Sequence, residues 1–229
     1  MTPRDTARVG TWSAVAVFAL VAAFGSSLVV GFWADTLTVS FSAAMLLAPA
    51  FVAMMVSIAL QAAPEKRVWG QLGAAFATIY AVMVTITYYL QLAVVRSGDG
   101  GPSAEVLQLL EFSPGSALFA VDMLGYGFMT LATLASAPVF VGSGLNRWLR
   151  LWFTAHGLMV VPTLLAPLMM GGGAAGESDA IGSLVLIGWS VFFLPLAGLV
   201  VIHFRRQLRE PPPASESWSR QHSSETAAI

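Results

Sequence analysis

The chain has 229 residues, 57% hydrophobic and only 10% charged, with 11 Lys and Arg set against 12 Asp and Glu. A soluble domain is typically about a quarter charged and less than half apolar, so this composition argues against a water-soluble fold. A net charge of -1 offers no basic field for nucleic acid, and the absence of cysteine removes disulfides, thiolate nucleophiles and cysteine-ligated metal or iron–sulfur centres.

Apolar runs lie near 12–32, 40–60, 70–95, 115–142, 148–170 and 181–204. Each supplies the roughly 20 residues a helix needs to cross ~30 Å of hydrocarbon. The runs are continuous and do not alternate as barrel strands do, and a helix satisfies its own backbone in lipid. The expected fold is an all-α integral membrane protein, a bundle of about six transmembrane helices. Residues 1–11 read as a cytoplasmic N-terminal segment. The first run, about 21 residues long, exceeds the core of a signal peptide (roughly 7–15 residues) and no convincing A-x-A site follows, so it reads as a retained signal-anchor.

The second span carries Pro49. In the third, Gly73, Ala77, Ala81 and Thr85 recur every four residues, a stripe of small side chains suited to close helix packing. Beside it Tyr80, Thr87 and Gln91 form a polar stripe and Tyr88 extends the small-residue face, so this span is expected to face the bundle interior. The following loop contains SAEVLQLLEF (103–112), where Glu105, Gln108 and Glu111 oppose Val106, Leu107, Leu109 and Leu110. It predicts a short amphipathic helix, either resting at the interface or covering a cavity.

Asp122 lies in the fourth span within LFAVDMLGYGF. An ionised carboxylate facing lipid costs at least ~2.5 kcal/mol, so Asp122 is expected to point into the bundle. At 1.5 Å per residue it sits roughly 10 Å below the outer boundary, with Gly125 and Tyr126 on the same face. Counting the third span from inside to outside brings Thr87, Tyr88 and Gln91 to comparable depth. These residues, Asp122, Tyr126, Tyr88, Gln91 and Thr87, form the candidate ligand-binding set. The alternative is a hydrogen bond from Tyr88 or Gln91 to Asp122 that fastens two helices.

The fifth span holds His156 and Pro162, and the sixth ends at His203. The two histidines differ in depth by roughly 9 Å, which disfavours shared haem ligation, and His156 is expected to bond to a neighbouring helix. Pro49 and Pro162 occupy corresponding helices of two three-span halves, a pattern that marks broken helices in inverted-repeat transporters. The halves share no sequence similarity, however, and Pro138, Pro167 and Pro195 dilute the signal. The sole lysine, Lys66, lies in a loop, which excludes a retinal Schiff base within a helix. H-E-x-x-H, P-loop and G-x-S-x-G strings are absent, and GGGAAG at 171–176 lacks the strand–loop–helix setting of a phosphate cradle. No cofactor or metal centre is expected, and no residue is assigned a catalytic role. Residues 205–229, polar and rich in Pro and Ser, read as a disordered cytoplasmic tail.

Arg4, Arg8, Lys66, Arg67, Arg147, Arg150, Arg205, Arg206, Arg209 and Arg220 fall on one side of a six-span topology, and Arg96 is the exception. That side is expected to be the cytoplasm, with both termini there and the bundle in the plasma membrane. Trp12, Trp33, Trp69, Trp148 and Trp152 lie at span ends, where amphipathic rings prefer the interface. The expected function is binding or moving a small lipophilic molecule or a proton through the outer polar site. A non-catalytic scaffold or subunit of a larger membrane complex is the alternative. A lipid-modifying intramembrane enzyme, with Asp122 as acid or base, comes third because no second catalytic group lies at its depth. The expected partners are the lipid bilayer and a small-molecule ligand.

Overall fold

The computed structural model describes residues 2–96, 103–113, 115–170 and 177–209. Helix α1 (Pro3–Val30) opens on a capping box, in which the Thr2 side chain accepts from the Asp5 amide and the Asp5 carboxylate accepts from the Thr2 amide, each at 3.2 Å. Pro3, at the first helical position, has no N–H to leave unsatisfied. The helix thus takes in the segment expected to precede it, because hydropathy marks the hydrocarbon-length part of a helix and capping marks its start.

Five further spans follow: α2 (Leu37–Leu60); α3 (Arg67–Leu90), prolonged by a π-helical turn Gln91–Val95; α5 (Ala117–Ser136), prolonged by a 3-10 turn Ala137–Val139; the pair α6 (Leu145–Gly157) and α7 (Val160–Met170), together the fifth span; and α8 (Glu177–Arg209). Between α3 and α5 lies the short helix α4 (Ala104–Leu110). Six of these segments are long and apolar enough to cross a membrane. The last helix continues to Arg209; residues 210–229, which hold most of the expected tail along with His222 and Arg220, lie outside the described residues, as does the 171–176 glycine string.

The spans form a ring. Helix α1 packs on α2 and α8, α2 on α3, α3 on α5, and α5 on both α6 and α7, while α6 returns to α8. Antiparallel pairing puts Gly10 of α1 against the Phe204 ring and Gly25 against Ser190 of α8, so the start of α1 and the end of α8 lie at one end of the bundle, called here the terminal end. The outside of the ring is apolar, with Leu46, Val82, Ile86 and Val191 all more than half exposed, whereas Asp122, His156, Tyr80, Tyr88, Thr87 and Thr133 are buried. Apolar outside and polar inside is consistent with a membrane protein, since soluble monomers rarely expose a contiguous apolar patch beyond a few hundred Å².

Close approach depends on missing side chains. A Cβ on Gly73 would collide with the Ser136 side chain and lie 2.9 Å from the Ala132 carbonyl; one on Gly157 would meet the Leu134 side chain and stand 2.8 Å from its Cα. In the second case backbone must move. Gly157→Ala is therefore expected to lower thermal stability in detergent by about 1–3 kcal/mol. Gly188→Ala, with nothing within 4 Å of the added carbon, should cost less than half as much. Equal losses would remove the α5–α6 crossing as the cause.

The fifth span breaks at Leu158 and Met159. Pro162 stands in the first turn of α7 and has no N–H for the Leu158 carbonyl, so the missing bond falls at this break. The Leu158 amide keeps a helical bond to the Thr154 carbonyl, the Met159 amide tightens onto that of His156, and α7 restarts with the Thr163 amide on Met159. Pro49 leaves α2 continuous, so the two corresponding prolines have different consequences.

At the end opposite the termini, Arg96 donates to the Asp35 carboxylate at 2.6 Å and to the Thr38 hydroxyl at 3.1 Å, tying the α1–α2 loop to the end of α3. Among the described residues the single Lys or Arg on that side thus lies against an acid. The hydrogen bond from Arg96, then that from the Leu37 amide, hold the Asp35 carboxyl below its ordinary range. A lowered acid stabilises the fold above its unfolded value of about 3.9, and that contribution disappears as pH falls through the folded value. The stability gap between wild type and Arg96→Gln should accordingly be present at neutral pH and close under strong acid, in parallel melts. A gap that persists unchanged in acid would mean that Asp35 is not the partner that matters.

Candidate functional site

Ser116 caps α5 by accepting from the Phe119 amide at 3.1 Å, which fixes the register that carries Asp122 to the ring interior. Asp122 is wholly buried. Its Oδ2 accepts from the Tyr88 hydroxyl of α3 at 3.2 Å, and its Oδ1 has no protein partner. The hydroxyls of Tyr80, Tyr126 and Thr87, also buried, have no hydrogen-bond partner of good geometry. A native interior rarely leaves such groups unmatched, so a cluster of them marks a place with unused capacity to bind a proton, water or polar ligand.

The other candidate residues divide. Tyr126 lies one turn from Asp122 and packs its ring on Tyr80 (5.7 Å between centroids) and on Trp189 of α8 (5.4 Å). Gln91 is buried but does not reach Asp122; its side-chain amide donates to the Leu110 carbonyl at the end of α4. Gly73 and Ala77 are buried, Gly73 directly against α5, whereas Ala81 and Thr85 are only partly buried and line an outward furrow of about 730 Å³ with Pro49, Val52 and Ala53 of α2.

Two parts of the site lie outside the candidate ligand-binding set, one at the end of the 103–112 segment and one at His156, which bonds to neighbouring helices as expected. Above Tyr88, Glu111 turns the chain out of helix (φ -61°, ψ 137°), and Phe112 enters among Phe41, Tyr88 and Phe119 at centroid distances of 6.0, 5.8 and 5.6 Å. The Gln91 bond to Leu110 holds this plug in place. Toward the terminal end, the Trp189 indole donates to His156 Nε2 at 3.1 Å, and His156 Nδ1 lies 2.8 Å from Thr133 Oγ1. An indole only donates, so Nε2 must accept; the imidazole proton is therefore on Nδ1, facing Thr133, whose own hydroxyl donates to the Thr130 carbonyl at 2.8 Å. Both ring nitrogens of His156 are thus engaged. A run of ring contacts, Phe112 to Tyr88 and then Tyr80 to Tyr126, Trp189 and His156, lines the interior on either side of Asp122. Among the described residues no group of three or more His, Asp or Glu is placed to hold a metal ion.

Comparison with protein-family models, curated proteins and solved structures finds no match to this chain.

Proposed function

We propose that this chain is a polytopic plasma-membrane protein that takes up and releases a proton at Asp122, in an interior centre shared with Tyr88 and Tyr126, as part of handling a small amphipathic molecule. The supporting observation is the state of the carboxyl group: wholly buried, one oxygen on the Tyr88 hydroxyl, the other without a protein partner. A carboxyl group is the side chain there that can change charge within the ordinary pH range, and its unpaired oxygen gives an incoming proton or hydroxyl somewhere to bind. Phe112 lies over Tyr88 and Phe119 on the far-end side of the centre, so in this reading exchange from that end passes the α4 segment.

A second reading, helix fastening within a larger assembly, draws on the same Tyr88 bond. Against it, Gly73 and Gly125 already let α3 and α5 approach closely without help from Asp122. Asp122→Asn separates the two, because it retains an acceptor for Tyr88 and removes only the titrating proton.

The terminal end is assigned to the cytoplasm. It gathers Arg4, Arg8, Lys66, Arg67, Arg147, Arg150, Arg205, Arg206 and Arg209, whereas Arg96 at the far end is paired with Asp35. In this cysteine-free chain, Ala34→Cys and Ser143→Cys should label from opposite faces of intact vesicles, Ser143→Cys from the cytoplasmic one. Labelling from the same face would overturn the six-span topology.

A further inference from the structure

At the terminal end a cavity of about 430 Å³ opens between the end of α5 and α6, lined by Leu134, Ala137, Pro138 and Thr154 and by two cations, Lys66 and Arg150. It lies beside the point where Gly157 of α6 meets Leu134 of α5. No Asp or Glu lines it. Among the described residues Lys66 has no ion pair, and Arg150 makes one long hydrogen bond, 3.4 Å to the Phe140 carbonyl, which leaves most of its donors unused. Trp69 and Trp148, both largely exposed, flank the same end, as expected of rings at the level of lipid headgroups.

We propose that this cavity binds an anionic phospholipid, with the headgroup phosphate between Lys66 and Arg150 and an acyl chain against Leu134, Ala137 and Pro138. Two cations at the mouth of an apolar wedge match a molecule with a phosphate head and a hydrocarbon tail, and basic pockets between spans are a recognised setting for such headgroups. An inorganic phosphate would use the cations and leave the apolar wall without purpose. The site is separate from Asp122 and does not depend on the role proposed there.

The test uses the full chain in nanodiscs of equal parts phosphatidylglycerol and phosphatidylcholine, followed by extraction and native mass spectrometry of retained lipid. Wild type should retain phosphatidylglycerol selectively. Lys66→Gln and Arg150→Gln should each reduce that retention about fivefold, and Lys66→Arg should preserve it. Arg147→Gln and Arg206→Gln, which remove charge from the same end without lining the cavity, should leave it unchanged. The proposal is overturned if those two controls reduce retention equally, if phosphatidylcholine is retained as well, or if millimolar inorganic phosphate displaces the lipid.

Discussion

Asp122→Asn is expected to leave the bundle folded and to abolish its proton exchange. Asparagine has nearly the same shape, and its carbonyl oxygen can accept the Tyr88 hydroxyl that now bonds to Oδ2 at 3.2 Å. The α3–α5 tie therefore survives, and stability should change by less than about 1 kcal/mol, the usual net value of a hydrogen bond. Asp122→Leu removes the acceptor and leaves the Tyr88 hydroxyl buried without a partner, a loss of about 1–3 kcal/mol. Infrared difference spectra recorded across a pH titration supply the second readout, since a carboxyl group gaining or losing its proton moves its C=O stretch. Wild type should show that band and Asp122→Asn should not. A band that persists in the Asn variant would assign the exchanging proton to another group. No such band in wild type, with Asp122→Leu unstable, would leave fastening as the role of the carboxyl group.

Phe112→Ala should open the centre from the far end. The ring is half-buried among Phe41, Tyr88 and Phe119, and losing that contact should weaken closure by about 1–1.5 kcal/mol, or roughly tenfold in the population of the open form. With no native cysteine to confuse the signal, Asp122→Cys becomes a single reporter. Its reaction with a water-soluble thiol reagent should accelerate about tenfold when Phe112→Ala is added, as that change in open population requires. Leu109→Ala, on the exposed face of α4, should leave the rate unchanged. If neither substitution alters labelling, the route to Asp122 does not pass under α4.

Much of this arrangement was legible in the sequence, for identifiable reasons. Depth along a helix follows from counting at about 1.5 Å per residue, so Tyr88 and Asp122 could be set at one level from register alone, and the structure places their side chains in contact. Azimuth is harder. Residues four apart drift by about 40° around a helix, so the stripe that begins with Gly73 against α5 has rotated by Ala81 and Thr85 to the α2 furrow. Gln91 shows a second limit, since it is buried as its stripe requires but its partner is the Leu110 carbonyl of α4, which spacing within one helix does not reveal. Trp189 and His156 meet only because α6 and α8 close the ring, a pairing of distant segments that periodicity within one helix cannot reveal. Phe112 reads from sequence as the end of the 103–112 helix, whereas its inward turn depends on the extended Glu111 backbone and not on any helical pattern.

The break in the fifth span divides its mechanics. An uninterrupted helix carries a tilt imposed at one end through to the other; two short rods joined by a two-residue turn do not. Here α6 is anchored to α8 through His156 and Trp189, while α7 bears on α5 where Leu164 covers Gly127. The rod beside the Asp122 half of the bundle and the rod beside the terminal half are therefore seated on different neighbours. Pro162 thereby marks the point at which a displacement of one rod need not be carried into the other.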